Sequence, residues 1–261
     1  MSGFCSLFSS SSANCTYIYS SDSAILIDAG ASAKQILLSC DNHNLPVENI
    51  KAIFVTHEHS DHIKGLRVLS QKLGVPVYAT KETIEKLIEK NYVDGKTDLR
   101  AIDQNGAEAG NMKILPFTTP HDSAHSVGYK IYLPDERKIS VCTDIGTVTD
   151  NVFNSLKESD LVLLESNHDL QMLLNGPYVY NLKQRIMSKN GHLPNHECAK
   201  TVVELLKSGT TRFVLGHLSK QNNTPQKAFS ETKLALDSIG AKENIDYKLT
   251  VAEDENKIIR I

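Results

Sequence analysis

Three histidines and an aspartate, His57, His59, Asp61 and His62, fall within six residues of the sequence. They follow a short apolar segment, residues 51–55, which is typical of a buried strand. Positions 57 and 59 of an extended chain project to the same side, and a turn into a helix brings positions 61 and 62 back towards them. Imidazoles and a carboxylate that converge on one point suit a borderline divalent cation. The spacing therefore predicts a metal site with two adjacent ligand sets, one for each of two cations.

The H-x-H-x-D-H motif at positions 57–62 resembles the signature of the metallo-β-lactamase superfamily, and the resemblance continues along the chain. Three later segments resemble the remaining ligand motifs: Pro120-His121-Asp122, Cys142-Thr143-Asp144-Ile145-Gly146 and Leu215-Gly216-His217-Leu218-Ser219. The resemblance implies two sets of three ligands and one bridging carboxylate: His57, His59 and His121 for one cation, Asp61, His62 and His217 for the other, and Asp144 between them. His125 stays an alternative to His121.

A second group of motifs resembles nucleases within this superfamily. Leu163-Leu164-Glu165-Ser166-Asn167 is similar to the acidic motif of β-CASP nucleases, and Asn190-Gly191-His192-Leu193 is similar to their second histidine motif. Only 48 positions separate Asp144 from His192, too few for the cap domain of those enzymes. We therefore expect a capless relative.

The segments that carry the resemblance further are Glu165-Ser166-Asn167-His168-Asp169, Gly176-Pro177-Tyr178, Gly191-His192-Leu193-x-Asn195 and His217-Leu218-Ser219-Lys220-x-Asn222-Asn223. They resemble the YycJ/WalJ-like family of bacterial metallo-β-lactamase-fold exonucleases. Two departures stand out. The loop at residues 10–14 lacks the glycines usual there, and Pro194 replaces a serine, so we expect Asn195 to cap the following helix.

The family resemblance implies a dinuclear metal-dependent phosphodiesterase, namely a 5′→3′ DNA exonuclease. Two cations about 3.5–4 Å apart clamp a phosphodiester and supply a hydroxide at neutral pH. We predict that Asp61 orients this hydroxide, that His192 is the general acid and that Glu165 holds its ring. A solvated carboxylate at a strand end is the alternative for Glu165. Substrate contacts are expected from four further residues: His168, Ser219, Asn222 and Asn223.

Other functions stay open at this stage. They are a small-molecule phosphodiesterase, for instance for cyclic phosphates, a glyoxalase-type thioester hydrolase or β-lactamase, and a catalytically silent binding module. Thioester and lactam cleavage do not require an acid such as His192, which disfavours them. The cations are predicted to be zinc or manganese, since histidine ligands favour zinc while carboxylates leave manganese open.

The elements that position these residues fall into two β-rich stretches, each followed by helices. Strands are predicted at residues 3–8, 16–19, 24–28, 51–55, 75–79, 112–117, 128–133, 138–143, 161–165, 211–215, 246–251 and 257–261. Helices are predicted at residues 32–41, 63–73, 81–90, 180–188, 195–208 and 225–239. This order predicts an α+β protein, a four-layer αββα sandwich of the metallo-β-lactamase fold, formed by one domain over residues 1–261.

Composition limits the partners and the location. The 28 basic and 31 acidic residues give a net charge of −3, which excludes a polycation that coats nucleic acid non-specifically. The five cysteines lack a C-x-x-C pair, and neither an export signal nor a membrane-length apolar run is present, so we expect a cytosolic protein. DNA is the expected substrate; no membrane contact is expected, and no protein partner follows from the sequence.

Overall fold

Two seven-stranded β-sheets face each other in the computed structural model, which describes residues 2–252 and 258–260. The first sheet contains β1 (Ser2–Ser10), β2 (Ala13–Ser20), β3 (Ser23–Ile27), β4 (Ile50–Phe54), β5 (Val77–Ala79) and β6 (Leu99–Ala101). The second contains β7 (Ala107–Ala109), β8 (Met112–Thr118), β9 (Val127–Tyr132), β10 (Lys138–Cys142), β11 (Leu161–Glu165), β12 (Arg212–Gly216) and β13 (Lys248–Val251). Each sheet follows chain order, and β14 (Ile259–Arg260) pairs with β1 at the edge of the first.

Helices cover the outer faces of both sheets. They are α1 (Ala33–Asn42), α2 (Ser60–Ile63), α3 (Leu66–Leu73), α4 (Lys81–Glu89), α5 (Asp150–Leu156), α6 (Leu170–Asn175), α7 (Tyr180–Ile186), α8 (Asn195–Lys207) and α9 (Pro225–Ser238). Side chains of α1, α3 and α4 pack on the first sheet, and those of α5, α8 and α9 pack on the second. No helix in the described part of the chain is both long and apolar enough to cross a membrane.

A third core lies between the sheets. Phe54 of the first sheet packs edge-to-face on Tyr129 of the second, with 5.6 Å between ring centroids. Val141 and Leu163 belong to the same buried cluster, as do Ile18 and Ile25 from the first sheet. Three apolar interfaces between four layers confirm the predicted αββα sandwich.

Several elements differ from the sequence prediction. Strands β6 and β7 and helices α5 and α6 are absent from it, because they are short and show little apolar periodicity. Of the predicted edge strand 257–261, Ile259–Arg260 forms β14 and residues 257 and 261 lie outside the described residues. The expected cap of α8 is wrong. Pro194 occupies the cap position and Asn195 is the first helical residue, because the Asn195 amide bonds to Ser166 and Asn223 instead.

Strand direction brings the functional loops to one edge of the sandwich. β3 and β4 are parallel, as are β10, β11 and β12. Glu165, the last residue of β11, is directly in register with Gly216, the last residue of β12. Loops that follow parallel strands meet at the carboxyl edge of a sheet, which is where open α/β sheets bind ligands. Here the carboxyl edges of both sheets lie together.

Candidate metal centre

Six of the ten histidines lie in one cluster at this edge. Neighbouring rings are close: the centroids are 4.2 Å apart for His57 and His62, 4.9 Å for His57 and His121, and 5.4 Å for His192 and His217. His59 completes the cluster, 4.6 Å from His57. Helix α2 supplies His62; the loops after β4, β8 and β12 and the loop before α8 supply the other five side chains.

One group of donor atoms comes from His57, His59 and His121. One nitrogen from each residue lies within 4.8 Å of the others. The Nδ1 of His121 is 3.1 Å from the carbonyl oxygen of Gly191, and its Nε2 is 3.3 Å from His59 Nδ1. The ring is thereby turned with Nε2 towards the cluster, as a metal-binding imidazole requires.

His125, the alternative to His121, lies elsewhere. Its Nδ1 is 3.1 Å from a carboxylate oxygen of Glu82, and its Nε2 is 3.1 Å from the hydroxyl of Thr118. The ring is half-exposed and belongs to none of the donor groups found among the described residues. The geometry therefore favours His121 over His125.

A second group of donor atoms comes from Asp61, His62 and His217, again within 4.8 Å of one another. Asp144 lies between the two groups. Its Oδ1 is 3.6 Å from Nε2 of both His121 and His217, and its Oδ2 is 3.0 Å from His62 Nε2. A carboxylate in this position can contact cations held by either group.

The donor set fits divalent cations. Nε2 of His57 and Nε2 of His217 are buried and have no hydrogen-bond partner among the described residues, and Oδ2 of Asp144 is buried with only His62 Nε2 close to it. Buried polar atoms without partners are costly unless a ligand or ion satisfies them. Such atoms within a cluster of imidazoles and carboxylates match the donors that divalent transition-metal ions prefer.

Two buried carboxylates orient the rings from behind. Glu165 is fully buried, and its Oε1 is 2.7 Å from His217 Nδ1 and 2.8 Å from His192 Nδ1. Its Oε2 accepts a hydrogen bond from the Ile145 amide. The solvated alternative for Glu165 is therefore wrong. The sequence pairs Glu165 only with His192 and does not indicate the contact between Glu165 and His217.

Asp28 is the second of these carboxylates, and the sequence prediction missed it. Its Oδ2 lies 2.8 Å from His62 Nδ1, and it accepts hydrogen bonds from the amide and the hydroxyl of Thr56. The sequence prediction gives position 28 only as the end of the strand at residues 24–28. The available signal was an acidic residue directly at the end of a strand. That strand, β3, is parallel to β4, the strand before His57.

Asn14 is a further missed residue. Its amide nitrogen lies 3.0 Å from His62 Nε2 and 3.3 Å from an oxygen of Asp61. The hairpin at residues 10–14 thus contacts the cluster through a side chain, although it lacks the glycines of the family pattern.

Three cluster residues have left-handed backbone conformations. The φ angles are 63° at Asp28, 55° at Asp144 and 55° at His217. Non-glycine residues seldom have positive φ, and aspartate and histidine tolerate it better than most. Such conformations concentrate at functional sites, where the surrounding structure holds them in place.

The electrostatics follow from burial and close pairing. Burial opposes ionisation of Asp144 and Asp61, but neighbouring imidazoles outweigh it and lower the pKa of both carboxyl groups well below the usual range. Burial likewise disfavours a charged His217, yet Asp144 and Glu165 raise its pKa to about 10. The pKa of Glu165 falls to about 2, against the effect of burial, because His192 and His217 face it.

The four predicted substrate-contact residues are buried beside the cluster. His168 is 1% exposed, and burial lowers its pKa to about 4. The Ser219 hydroxyl accepts hydrogen bonds from Asn222. Asn223 donates to the carbonyls of Ser166 and Asn167, so its amide joins protein segments. A contact between these four side chains and substrate stays a prediction.

Comparison with known proteins identifies relatives over more than nine-tenths of the chain. A family model described as the beta-lactamase superfamily domain matches residues 23–218. Exodeoxyribonuclease WalJ of Streptococcus pneumoniae serotype 2 is 35% identical over 249 residues, 93% of this chain and 91% of the relative. Exodeoxyribonuclease YycJ of Bacillus anthracis is 34% identical over 240 residues, 91% and 90% of the two chains. The solved structure of the metallo-beta-lactamase fold protein YhfI from Bacillus subtilis has a TM-score of 0.73 and 18% identity, covering 99% of this chain and 98% of that one.

Proposed function

Because this chain belongs to the metallo-β-lactamase superfamily, and within it to the YycJ/WalJ-like family, we propose that it is a metal-dependent exodeoxyribonuclease. The family resemblance seen in the motifs is confirmed by these relatives. The proposed reaction is hydrolysis of the phosphodiester bond at the 5′ end of DNA, proceeding 5′→3′. The proposed working unit is one domain, since both sheets contribute side chains to the cluster.

The observation that carries this proposal is the double contact of Glu165. One carboxylate oxygen holds Nδ1 of both His217 and His192, so the Nε2 atoms of the two rings face away from it. His217 belongs to the donor group of Asp61 and His62, whereas His192 shares a group only with Asp144, Glu165 and His217. The His192 side chain is 16% exposed. A metal ligand and a solvent-accessible imidazole are thereby oriented together, as cleavage of an unactivated alkoxide leaving group requires.

Two cations, when bound, would lower the pKa of water and neutralise the phosphate charge. We propose His57, His59 and His121 as ligands of one, and Asp61, His62 and His217 as ligands of the other. Asp144 is proposed as the shared ligand. Zinc or manganese suits this mixture of imidazoles and carboxylates.

The chain's own residues account for the remaining steps. Glu165 accepts a hydrogen bond from Nδ1–H of His192, which leaves the other nitrogen, Nε2, available to protonate the leaving 3′ oxygen. Burial opposes a charged imidazole, but Glu165 raises the pKa of His192, which favours the protonated form that an acid needs. Asp61 is proposed to orient the attacking water.

A cytosolic location remains part of the proposal. All five cysteines are buried free thiols. Burial raises the pKa of Cys15, Cys142 and Cys198, which keeps these groups protonated and unreactive.

The test is digestion of DNA labelled at either end. Purified protein with Mn²⁺ or Zn²⁺ should release nucleotides from the 5′ end of a 5′-phosphorylated strand, and His59→Ala should abolish the activity. His125→Ala is the matched control and should retain activity, because His125 lies outside the cluster. Hydrolysis of a small phosphodiester without any DNA cleavage would contradict the nuclease assignment, and release from the 3′ end would contradict the direction.

A further inference from the structure

The segment from residue 170 to residue 196 differs in charge from the rest of the chain. It contains Lys183, Arg185 and Lys189 and no aspartate or glutamate, although the protein as a whole is acidic. The two ends of the segment lie together, because His168, just before its start, forms a β-bridge with Pro194 near its end. Near that end the Gly191 carbonyl also contacts His121 of the cluster. The segment therefore forms a basic wall beside the proposed cations.

Helix α7 presents the outer surface of this wall. Ile186 is buried beneath it, while Tyr180 is 73% exposed and Val179, at its cap, is 71% exposed. With 3.6 residues per turn, the exposed arc runs from Tyr180 through Gln184 and Asn181 to Arg185. An aromatic ring lies at one border of the arc and a guanidinium at the other.

Arg185 connects this arc to the metal centre. Its Nε and one terminal nitrogen bind the two oxygens of Asp122 at 2.5 and 3.0 Å. Asp122 follows His121 and reaches within 3.5 Å of its Nε2. The side chain of Arg185 is 48% exposed, and its Nη1 has no hydrogen bond to any described residue. Asp122 thus fixes one edge of the guanidinium, and the other edge, with Nη1, is free to bind a ligand.

We propose that the exposed arc of α7 binds the single-stranded part of the nucleic acid next to the scissile nucleotide. A base stacks on the Tyr180 ring, and a backbone phosphate binds the free edge of Arg185. This proposal rests on the proposed nuclease function and extends it to strand binding. Single-strand sites without sequence preference combine such stacking rings with cations that follow the backbone.

Charge distinguishes this occupant from a second copy of the chain. In a twofold dimer the same surface faces itself. Asp122 balances the charge of Arg185, but Lys183 and Lys189 would lie opposite identical cations with no acidic residue of the segment between them. A polyanion with planar bases matches both the basic and the aromatic parts of the arc.

The experiment measures binding of a fluorescent single-stranded DNA 20-mer to the metal-loaded full-length protein. Its phosphorothioate backbone resists hydrolysis. Tyr180→Ala should weaken binding about tenfold, the size of one base–aromatic stack, and Tyr180→Phe should restore it. Arg185→Ala should lower the slope of log affinity against log salt by about 0.7, one phosphate contact on a single strand. Tyr92→Ala, at a tyrosine that is 38% exposed beyond α4, is the matched control.

Each outcome decides between alternatives. Unchanged affinity of the Tyr180→Ala variant for the 20-mer would overturn the proposal. A wild-type dimer that becomes a monomer in Tyr180→Ala, measured by light scattering, would also overturn it, since a second copy of the chain would then cover α7. Failure of the wild type to cut an unmodified 20-mer would refute the nuclease assignment alone, because binding is scored separately. Steady-state kinetics add a further check: Tyr180→Ala should raise KM for the 20-mer at least fivefold more than KM for bis(p-nitrophenyl) phosphate, which carries no neighbouring nucleotides.

Discussion

At the residue scale, the buried carboxylates of Asp28 and Glu165 both hold histidine rings of the cluster, but their pKa values shift in opposite directions. Asp28 faces His62, and burial raises its pKa despite this contact. Glu165 faces two imidazoles, which together outweigh burial and lower its pKa. A carboxylate behind an imidazole fixes the tautomer and raises the basicity of the nitrogen that faces the site. The first group of residues to test is therefore these carboxylates and the rings they hold.

His192→Gln should lower kcat on DNA by about 10²–10³-fold, since a positioned general acid contributes on this order. On a p-nitrophenyl ester of thymidine 5′-phosphate, kcat of the variant should fall much less, because p-nitrophenolate leaves without a proton. Steady-state kinetics on both substrates, with metal content measured for each sample, checks this. Equal losses on both substrates would contradict the acid role.

Glu165→Gln should shift the falling limb of kcat against pH to lower pH. The proposed mechanism requires protonated His192, so activity should decline as pH rises through the pKa of His192. Glu165 raises that pKa, and its neutral replacement removes the effect. Glu82→Gln, beside the half-exposed His125, is the control that should leave the limb in place. If the falling limb of kcat against pH stays in place in Glu165→Gln at full metal occupancy, Glu165 does not set the pKa of His192.

Asp28→Asn should weaken metal binding by about 10–100-fold, the usual cost of losing an outer-sphere partner. The change keeps the shape of the side chain and removes the charge behind His62. Competition with a chelator measures the affinity directly. Unaltered affinity would show that Thr56 alone holds the ring, since its hydroxyl lies 3.2 Å from His62 Nδ1.

At the element scale, the site depends on close approaches between loops. The Ala29 amide donates to the His62 carbonyl, and a Cβ on Gly30 would overlap the backbone carbonyl of Asp61. Only glycine allows the corner after β3 to lie this close to α2. The corner thereby sets the position of the whole helix that carries Asp61 and His62.

A second junction joins β11, α8 and the loop before α9 through Asn195 and Asn223. Asn223→Ala should destabilise the protein by about 2–4 kcal/mol, because it leaves the side-chain nitrogen of Asn195 and the buried Ser166 carbonyl without a partner. Urea denaturation with chelator present measures this. A higher KM for DNA at unchanged stability would instead support the substrate contact predicted from sequence.

At the scale of the whole molecule, the cluster joins the two sheets. His57 follows a strand of the first sheet, whereas Asp144 and His217 follow strands of the second. Bound cations would therefore link the layers as well as serve chemistry, since binding to the native state alone adds stability.

Metal removal should accordingly lower Tm. At a cation concentration a hundredfold above Kd, binding raises the free energy of unfolding by about 2.7 kcal/mol. This corresponds to a Tm shift of roughly 5–10 °C for a chain of this size. Differential scanning calorimetry with and without chelator measures the shift, and His125→Ala should show the same shift as the wild type. A Tm that does not respond to chelator would contradict metal binding in this cluster.

The sequence alone determined the fold class and most residues of the cluster. Strand-sized apolar runs that end in His57, Asp144, Glu165 and His217 placed these side chains at strand ends, where parallel strands must bring them together. Local signals of this kind survive without coordinates, because side-chain alternation and strand ends are properties of the chain itself.

Only the tertiary structure decided which partners face each ring. The choice of His121 over His125, the double contact of Glu165 and the role of Asp28 depend on the packing of two sheets across one edge. Residues 28 and 62, or 165 and 217, are far apart in sequence, and no periodicity encodes their distance. The left-handed backbone at Asp28, Asp144 and His217 is held by those same contacts, so the fold and the site are fixed together.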